Sequence, residues 1–278
     1  MIFRTDVFII RKRKYGARLG KESNTMKRKW ILAFVFAVLM TQPLVFSFQF
    51  TDQELAKRGQ WEEFLRTAEI ERVEKIGEGV TKPRRLYMKD GDIEASGAWK
   101  NPTGVQGGVL EGWDYEIAAY LLDKHLELGM IPPTVQRTFR LQKGSLQLWI
   151  SLDMSELKRR RENIEIPADR LDHVTKMRHL QRAFDSLVAN IDRSQQNIRF
   201  TPDWQLILID HSRAFRTKDT YTKRLLYGKD GLKGSFPFEQ LPRTFVNKVR
   251  ALTAYKIKMA FTSNHDFNTI FLLCGFNH

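Results

Sequence analysis

The chain has 278 residues, an apolar fraction of 42% and a formal charge of +14, which fits one large domain or two lobes and excludes disorder over most of its length. The charge excludes less than its size suggests. Residues 1–29 hold ten lysines and arginines against Asp6 and Glu22, a net +8, residues 30–47 hold no charge, and about +6 remains for everything after them. That remainder is ordinary for a domain that handles phosphates, and without a basic stripe interleaved with aromatics no nucleic-acid partner is expected.

At the N-terminal end, Met26-Lys-Arg-Lys-Trp30, the apolar run Ile31–Met40, and then Thr41-Gln-Pro43 and Val45-Phe-Ser47 read as the basic, apolar and cleavage regions of an export signal. Met26 then reads as the true start, with 1–25 as a basic upstream extension. The other reading of 26–47 is an uncleaved membrane anchor, with membrane contact through this segment. In both, the domain is exported or membrane-tethered and lies outside the cytoplasm. A cytoplasmic protein is the alternative if the leader does not function. Cys274 is the only cysteine, which rules out an intrachain disulfide and a thiolate zinc site.

Thr51–Lys75, rich in Glu, Lys, Arg, Leu and Ala, predicts a helix with one greasy side, ended by Gly77-Glu-Gly79. Arg84–Met88 and Ile93–Trp99 predict strands around the turn Lys89-Asp-Gly-Asp92, and Lys100 closes the second. Asn101–Gly112 is Gly-rich and predicts a mobile stretch. A helix is expected from Asp114 to Leu128, stopped by Gly129 and Pro132-Pro133. Thr134–Leu141 and Leu146–Ser151 predict a hairpin around Gln142-Lys-Gly144, and Leu152-Asp153 a hinge. From Met154 the pattern turns helical, with Leu171–Ala189 the longest helix. Asn197–Phe200 and Trp204–Ile209 predict short strands joined by Thr-Pro-Asp. The tail 264–278 loses the charge pattern. Strands first and helices later imply an α+β fold of two lobes around a cleft, divided as 48–152, an N-lobe with a leading helix, and 153–278, a C-lobe.

Phosphoryl transfer needs a positioned hydroxyl, a cation on the phosphates and positive charge near the developing anion. The stretch Asn190-Ile-Asp192-Arg193-Ser-Gln-Gln-Asn197, followed by Leu206–Ile209 and Asp210, holds residues for these roles. Asp192 would accept or orient the acceptor proton, and Arg193 would brace the loop or the phosphates. Asn197 and Asp210, brought together by the hairpin, would hold magnesium, with manganese as a substitute. Lys100 at a strand end and Glu116 on the next helix stand in the order of a phosphate-binding lysine and its carboxylate partner. Gly77 and Gly79 would let backbone amides approach phosphates. The histidines show no metal-ligand spacing and no Gly-x-Ser-x-Gly elbow occurs, so Ser or His hydrolase chemistry is not expected. His211 reads as a supporting partner of Asp210.

Trp99-Lys100, Glu116–Asp123, Leu128–Val135, Asn190–Asn197 and Leu208–Phe215 together resemble the atypical kinase superfamily. The resemblance is to bacterial proteins similar to phosphatidylinositol 3- and 4-kinases, with secreted Golgi-type kinases and HipA kinases as relatives. It implies a two-lobed, protein kinase-like fold with a β-rich N-lobe, a mostly helical C-lobe and a catalytic-loop hairpin. It also implies ATP in the cleft, Lys100 on the phosphates with Glu116 as its partner, Asp192 as catalytic aspartate, and Asn197 and Asp210 on the metal. Ser194 stands where these relatives show His, and a full glycine-rich loop signature is absent. The function expected is therefore an ATP- and Mg-dependent kinase acting on a hydroxyl of a protein, lipid or small molecule. A pseudokinase that binds nucleotide without turnover and a kinase-fold nucleotidyl transferase are the alternatives.

Overall fold

The computed structural model of the chain describes residues 56–77, 83–106, 108–150, 154–234 and 241–257. The segments 1–25 and 26–47, Gly79, the hinge at Leu152-Asp153 and the tail 264–278 lie outside the described residues. Among the described residues, no helix is long and apolar enough to cross a membrane.

The helix expected over 51–75 is shorter than its composition suggests. α1 (Arg58–Thr67) stops at Ala68, whose ψ of 142° is no longer helical, and β1 (Glu69–Lys75) begins at once. Glu, Lys and Arg favour a helix only weakly, and an antiparallel partner outweighs that preference. The partner is β2 (Arg84–Asp90), paired from Glu69↔Lys89 to Lys75↔Arg84. A register shift between Ile70 and Arg72 absorbs one residue as a bulge. The turn at Gly91, which takes φ 58°, leads as expected into β3 (Ile93–Lys100).

The stretch expected to be mobile is instead a hairpin, β4 (Thr103–Gln106) with β5 (Val109–Gly112). Gly108, with φ 78°, serves the turn, and the base is tied down where Trp113 N donates to Pro102 O at 3.0 Å and Gly112 N to Ser212 O at 3.0 Å. α2 (Trp113–Leu126) follows directly. β6 (Thr134–Phe139) and β7 (Gln142–Leu148) turn at Arg140-Leu141, where φ is 49° and 64°, a geometry that matches the twist of a two-residue hairpin. Gln142-Lys-Gly144, expected in the turn, lies within β7. Gly144 is needed there, because a Cβ would stand 2.5 Å from the Lys100 carbonyl oxygen and 2.8 Å from the Trp99 ring.

The five long strands form one antiparallel sheet in the order β1-β2-β3-β7-β6. α1 covers one face, and Phe64, Leu65, Leu86, Met88, Trp99, Val135 and Leu146 fill the space between them. Because side chains alternate along a strand, burying Trp99 on this face turns Lys100 to the other. The second part is mostly helical: β8 (Met154–Ser155), α3 (Glu156–Arg161), α4 (Leu171–Leu187), β9 (Ile198–Phe200), β10 (Leu206–Leu208), α5 (Asp219–Thr222) and α6 (Arg243–Arg250). Its three-stranded sheet runs β10-β9-β8, and the Thr-Pro-Asp turn falls between β9 and β10 as expected. α2 and α4 pack here around Ile117, Leu121, Phe184, Phe200 and Leu208. A fully buried ring such as Phe184 contributes about 1.5–3 kcal/mol. The architecture is thus α+β, a β-rich sheet region joined to a helical region.

A polar seam joins α1 to α2. Arg58 Nη1 stands 3.4 Å from Asp123 Oδ2, Met130 N donates to Asp123 Oδ1 at 2.9 Å, and Tyr120 Oη donates to Glu62 Oε1 at 2.6 Å. Burial pushes the Asp123 carboxyl up to about 6 against the pull of Arg58 and the backbone amides.

Candidate active site

Lys100 is where the two parts meet. Its Nζ lies 2.8 Å from Glu116 Oε1 on α2 and 2.9 Å from Asp210 Oδ1 just after β10. Burial alone would lower the ammonium's proton affinity, but Asp210 and Glu116 outweigh it and hold Lys100 well above its ordinary value. For Glu116, burial opposes ionisation while Lys100 and then His211 favour it, and the carboxyl ends well below its usual range. The second oxygen, Oε2, accepts from the backbone N of His211 at 2.9 Å. Glu116 therefore fixes both the ammonium and the chain beside Asp210.

Asp210 takes φ 62°, a left-handed conformation uncommon for a residue with a Cβ and typical of functional sites. Its side chain is 38% exposed. Oδ2 accepts from Asn197 Nδ2 at 3.4 Å, and Oδ1 from Ser212 Oγ at 3.5 Å. The β9-β10 hairpin does bring residues 197 and 210 side by side.

Arg193 turns away from solvent, its side chain 1% exposed. Nε and Nη2 bind the fully buried Asp185 of α4, Nη1 donates to the carbonyl oxygens of Asn197 at 3.0 Å and Ile209 at 2.6 Å, and Nη2 donates to His211 Nε2 at 2.8 Å. Of the two roles open to it in the sequence, this geometry is that of a brace. Asn190 adds Nδ2 on Asp185 and accepts the Asp192 amide, each at 3.3 Å. Burial, and then the Arg193 charge, push the His211 imidazole below its ordinary value, so the ring is neutral and supports the loop from beneath.

Asp192 stands half-exposed at the loop's end, and its Oδ2 accepts from Arg213 Nη1 at 3.1 Å. Arg213 in turn donates through Nε to Glu111 Oε1 of β5 at 2.7 Å. Neither Glu111 nor Arg213 was legible as a site residue. Arg213 carries a weak signal, three residues after Asp210, but Glu111 carries none, since its stretch reads as a mobile loop. Asp185 likewise reads only as part of a helix. Gly77 follows β1 with open space where a Cβ would stand, so it makes no close approach there, and Gly79 lies outside the described residues.

The arrangement thus offers a clamped ammonium, an exposed carboxylate beside an amide, and a second exposed carboxylate on a braced loop. Among the described residues, no group of three or more His, Cys, Asp or Glu side chains forms a ready-made metal cage. No protein-family model matches the chain, and no curated protein matches it. Solved structures do. A structure of hydra Fam20 with sugar is 14% identical, with 78% of this chain and 92% of that one covered and a TM-score of 0.45. The Golgi casein kinase is 15% identical, with 76% and 67% covered and a TM-score of 0.46. The Golgi casein kinase with Mn/ADP bound is 14% identical, with 77% and 69% covered and a TM-score of 0.48.

Proposed function

We propose that this chain is an ATP-dependent phosphotransferase that moves a phosphoryl group to a hydroxyl of a protein, lipid or small molecule. The observation that carries this reading is the position of Lys100 Nζ, within 2.9 Å of both Glu116 and Asp210. An ammonium held by one buried and one partly exposed carboxylate is charged and oriented, which is what contact with nucleotide phosphates requires.

A divalent cation fits the donors beside it. Asp210 supplies a carboxylate, and Asn197 spends its N–H on Asp210, which leaves the amide oxygen as a donor. Two hard oxygen donors suit a magnesium ion that keeps water and phosphate oxygens as its other ligands, with manganese as a substitute. Such an ion supplies charge neutralisation of the phosphates. In this reading Lys100 orients the phosphates and Asp192 takes the proton of the acceptor hydroxyl at its carboxylate. The hydroxyl oxygen bonds to the γ-phosphorus as ADP leaves. Arg193 holds the loop and has no contact with substrate. Residues 26–47 are proposed, from their sequence pattern, as an export signal or anchor, and a topology reporter fused after Phe50 tests that placement.

The second reading, a nucleotide-binding protein without turnover, is favoured by one contact: Arg213 already occupies the Asp192 carboxylate. Incubation of the full chain with γ-labelled ATP, magnesium and a panel of protein, lipid and sugar acceptors decides between them. Transfer is expected, with Asp192→Asn lowering its rate by about 100-fold or more while nucleotide affinity stays within about twofold. Wild-type turnover in that variant would remove Asp192 from the chemistry, and nucleotide binding without any transfer would favour the second reading.

A further inference from the structure

We infer that Arg213 is the positioning residue for Asp192 and that Glu111 is its anchor, so that the β4-β5 hairpin sets the proton acceptor. The inference rests on the role given to Asp192 above.

Among the described residues, the Asp192 carboxylate has no fully buried partner. Its Oδ2 is held by Arg213 Nη1 at 3.1 Å, and the side chain remains 50% exposed. Arg193, next in the chain, points inward to Asp185 and leaves this carboxylate to a residue from another segment. The Arg213 guanidinium is itself fixed from behind. Nε and Nη2 reach Glu111 Oε1 at 2.7 and 2.6 Å, and the Glu111 side chain is 2% exposed. Glu111 Oε2 is buried with no hydrogen-bond partner among the described residues, so Arg213 is the ion partner this carboxylate has there. A planar guanidinium with two edges can bind one carboxylate with each, a geometry a lysine cannot reproduce.

The hairpin is bound to the same segment by its backbone. Gly112 N donates to Ser212 O at 3.0 Å, Arg216 donates to Leu110 O, and Arg216 Nε donates to Arg213 O at 3.0 Å. Burial opposes charge on Arg213, but Glu111, Asp192 and Asp210 outweigh it and keep the guanidinium charged. The order of attachment is therefore hairpin, Glu111, Arg213, Asp192. This explains why a stretch that reads as a loop is paired and tied down. It also separates the two arginines of the site: one braces the loop backbone and the other aims its carboxylate.

The test uses the full chain and magnesium-dependent ATP turnover, with water as the acceptor. Arg213→Gln is expected to lower kcat about 10- to 100-fold with Mg-ADP affinity within about twofold, and Arg213→Lys to recover part of the loss. The double variant E111Q/R213Q, which leaves no stranded carboxylate, controls for folding and should be no slower than Arg213→Gln alone, because the pair acts as a unit. In an Asp192→Asn background, Arg213→Gln should have no further effect. Wild-type or raised kcat in Arg213→Gln, or a full additional loss in the Asp192→Asn background, would overturn the inference; a raised kcat would mark Arg213 as a block on Asp192.

If the wild type turns over no ATP with water, the phosphotransferase reading is decided separately, by transfer to the acceptor panel. The attachment is then read by amide hydrogen exchange. Residues 109–112 and 190–193 should loosen together in Arg213→Gln and in Glu111→Gln, and independent behaviour of the two segments would overturn it.

Discussion

Asp185 holds Arg193 with both carboxylate oxygens, Oδ2 to Nε and Oδ1 to Nη2 at 3.0 Å each, and neither side chain meets solvent to any useful extent. Removing one member of such a pair strands the other. Arg193→Ala should therefore destabilise the fold by about 3–5 kcal/mol, read as a lower urea midpoint. Arg193→Lys should recover only a minor part, because a point charge cannot serve Asp185, two carbonyl oxygens and His211 together. A loss under about 1 kcal/mol would put the pair in the class of exposed ion pairs.

Lys100 titrates above its ordinary value of 10.5. By the sign of the linkage, its contribution to stability, and to the phosphate contact proposed for it, is present below that value and is lost only above it. Nucleotide affinity should thus stay flat from about pH 7 to about pH 9.5, while Lys100→Met loses turnover by about 100-fold or more. An alkaline fall in affinity near neutral pH that disappears in Lys100→Arg would contradict the ion-pair geometry.

Gly144→Ala is the least intrusive change that reaches the site from outside it. The added methyl meets the Lys100 carbonyl oxygen at 2.5 Å and the Trp99 ring at 2.8 Å, so β3 or β7 must move. Overpacking of this kind costs about 1–3 kcal/mol, and β3 carries Lys100. Lower thermal stability together with weaker Mg-ADP binding is expected in calorimetry. Unchanged binding in a destabilised variant would show that β7 yields and β3 does not.

Asp123 works against the other carboxylates in acid. With a folded value of about 6 against an ordinary 3.8, the folded chain holds a proton between those limits that the unfolded chain has released. Stability from this group therefore falls as pH rises through the window. Asp123→Asn removes the titration. The slope of unfolding free energy against pH from about 4 to about 6 should rise by up to about 1.4 kcal/mol per pH unit, the value of one proton. Urea melts at three pH values measure it, and parallel slopes in wild type and variant would refute the assignment.

Much of the site could be read from the chain because it is built from local signals. Lys100 closes a strand before a helix carrying Glu116, and a short hairpin separates Asn197 from Asp210, so spacing and turn chemistry alone brought these residues together. What escaped was decided by pairing across distance. Ile70 and Val73 sit in a charged stretch that reads as helix until β2 offers an edge. Residues 101–112 read as loose because glycines predict freedom, yet the hairpin is anchored on Ser212, Arg213 and Arg216, about a hundred residues on. The turn at Arg140-Leu141 escaped for the opposite reason: neither residue favours positive φ, and Leu141 is 98% exposed, so strand register and not turn chemistry sets it there.

The two partners of Lys100 differ in another respect: Glu116 lies 16 residues further along the chain and Asp210 lies 110. Closing the shorter loop costs less chain entropy, and the longer one depends on contacts of high sequence separation, which form slowly. During synthesis the Lys100–Glu116 clasp is available while the segment bearing Asp210 has not yet been translated. The nascent polypeptide thus passes through a stage in which Lys100 can reach one of its two carboxylate partners and not the other.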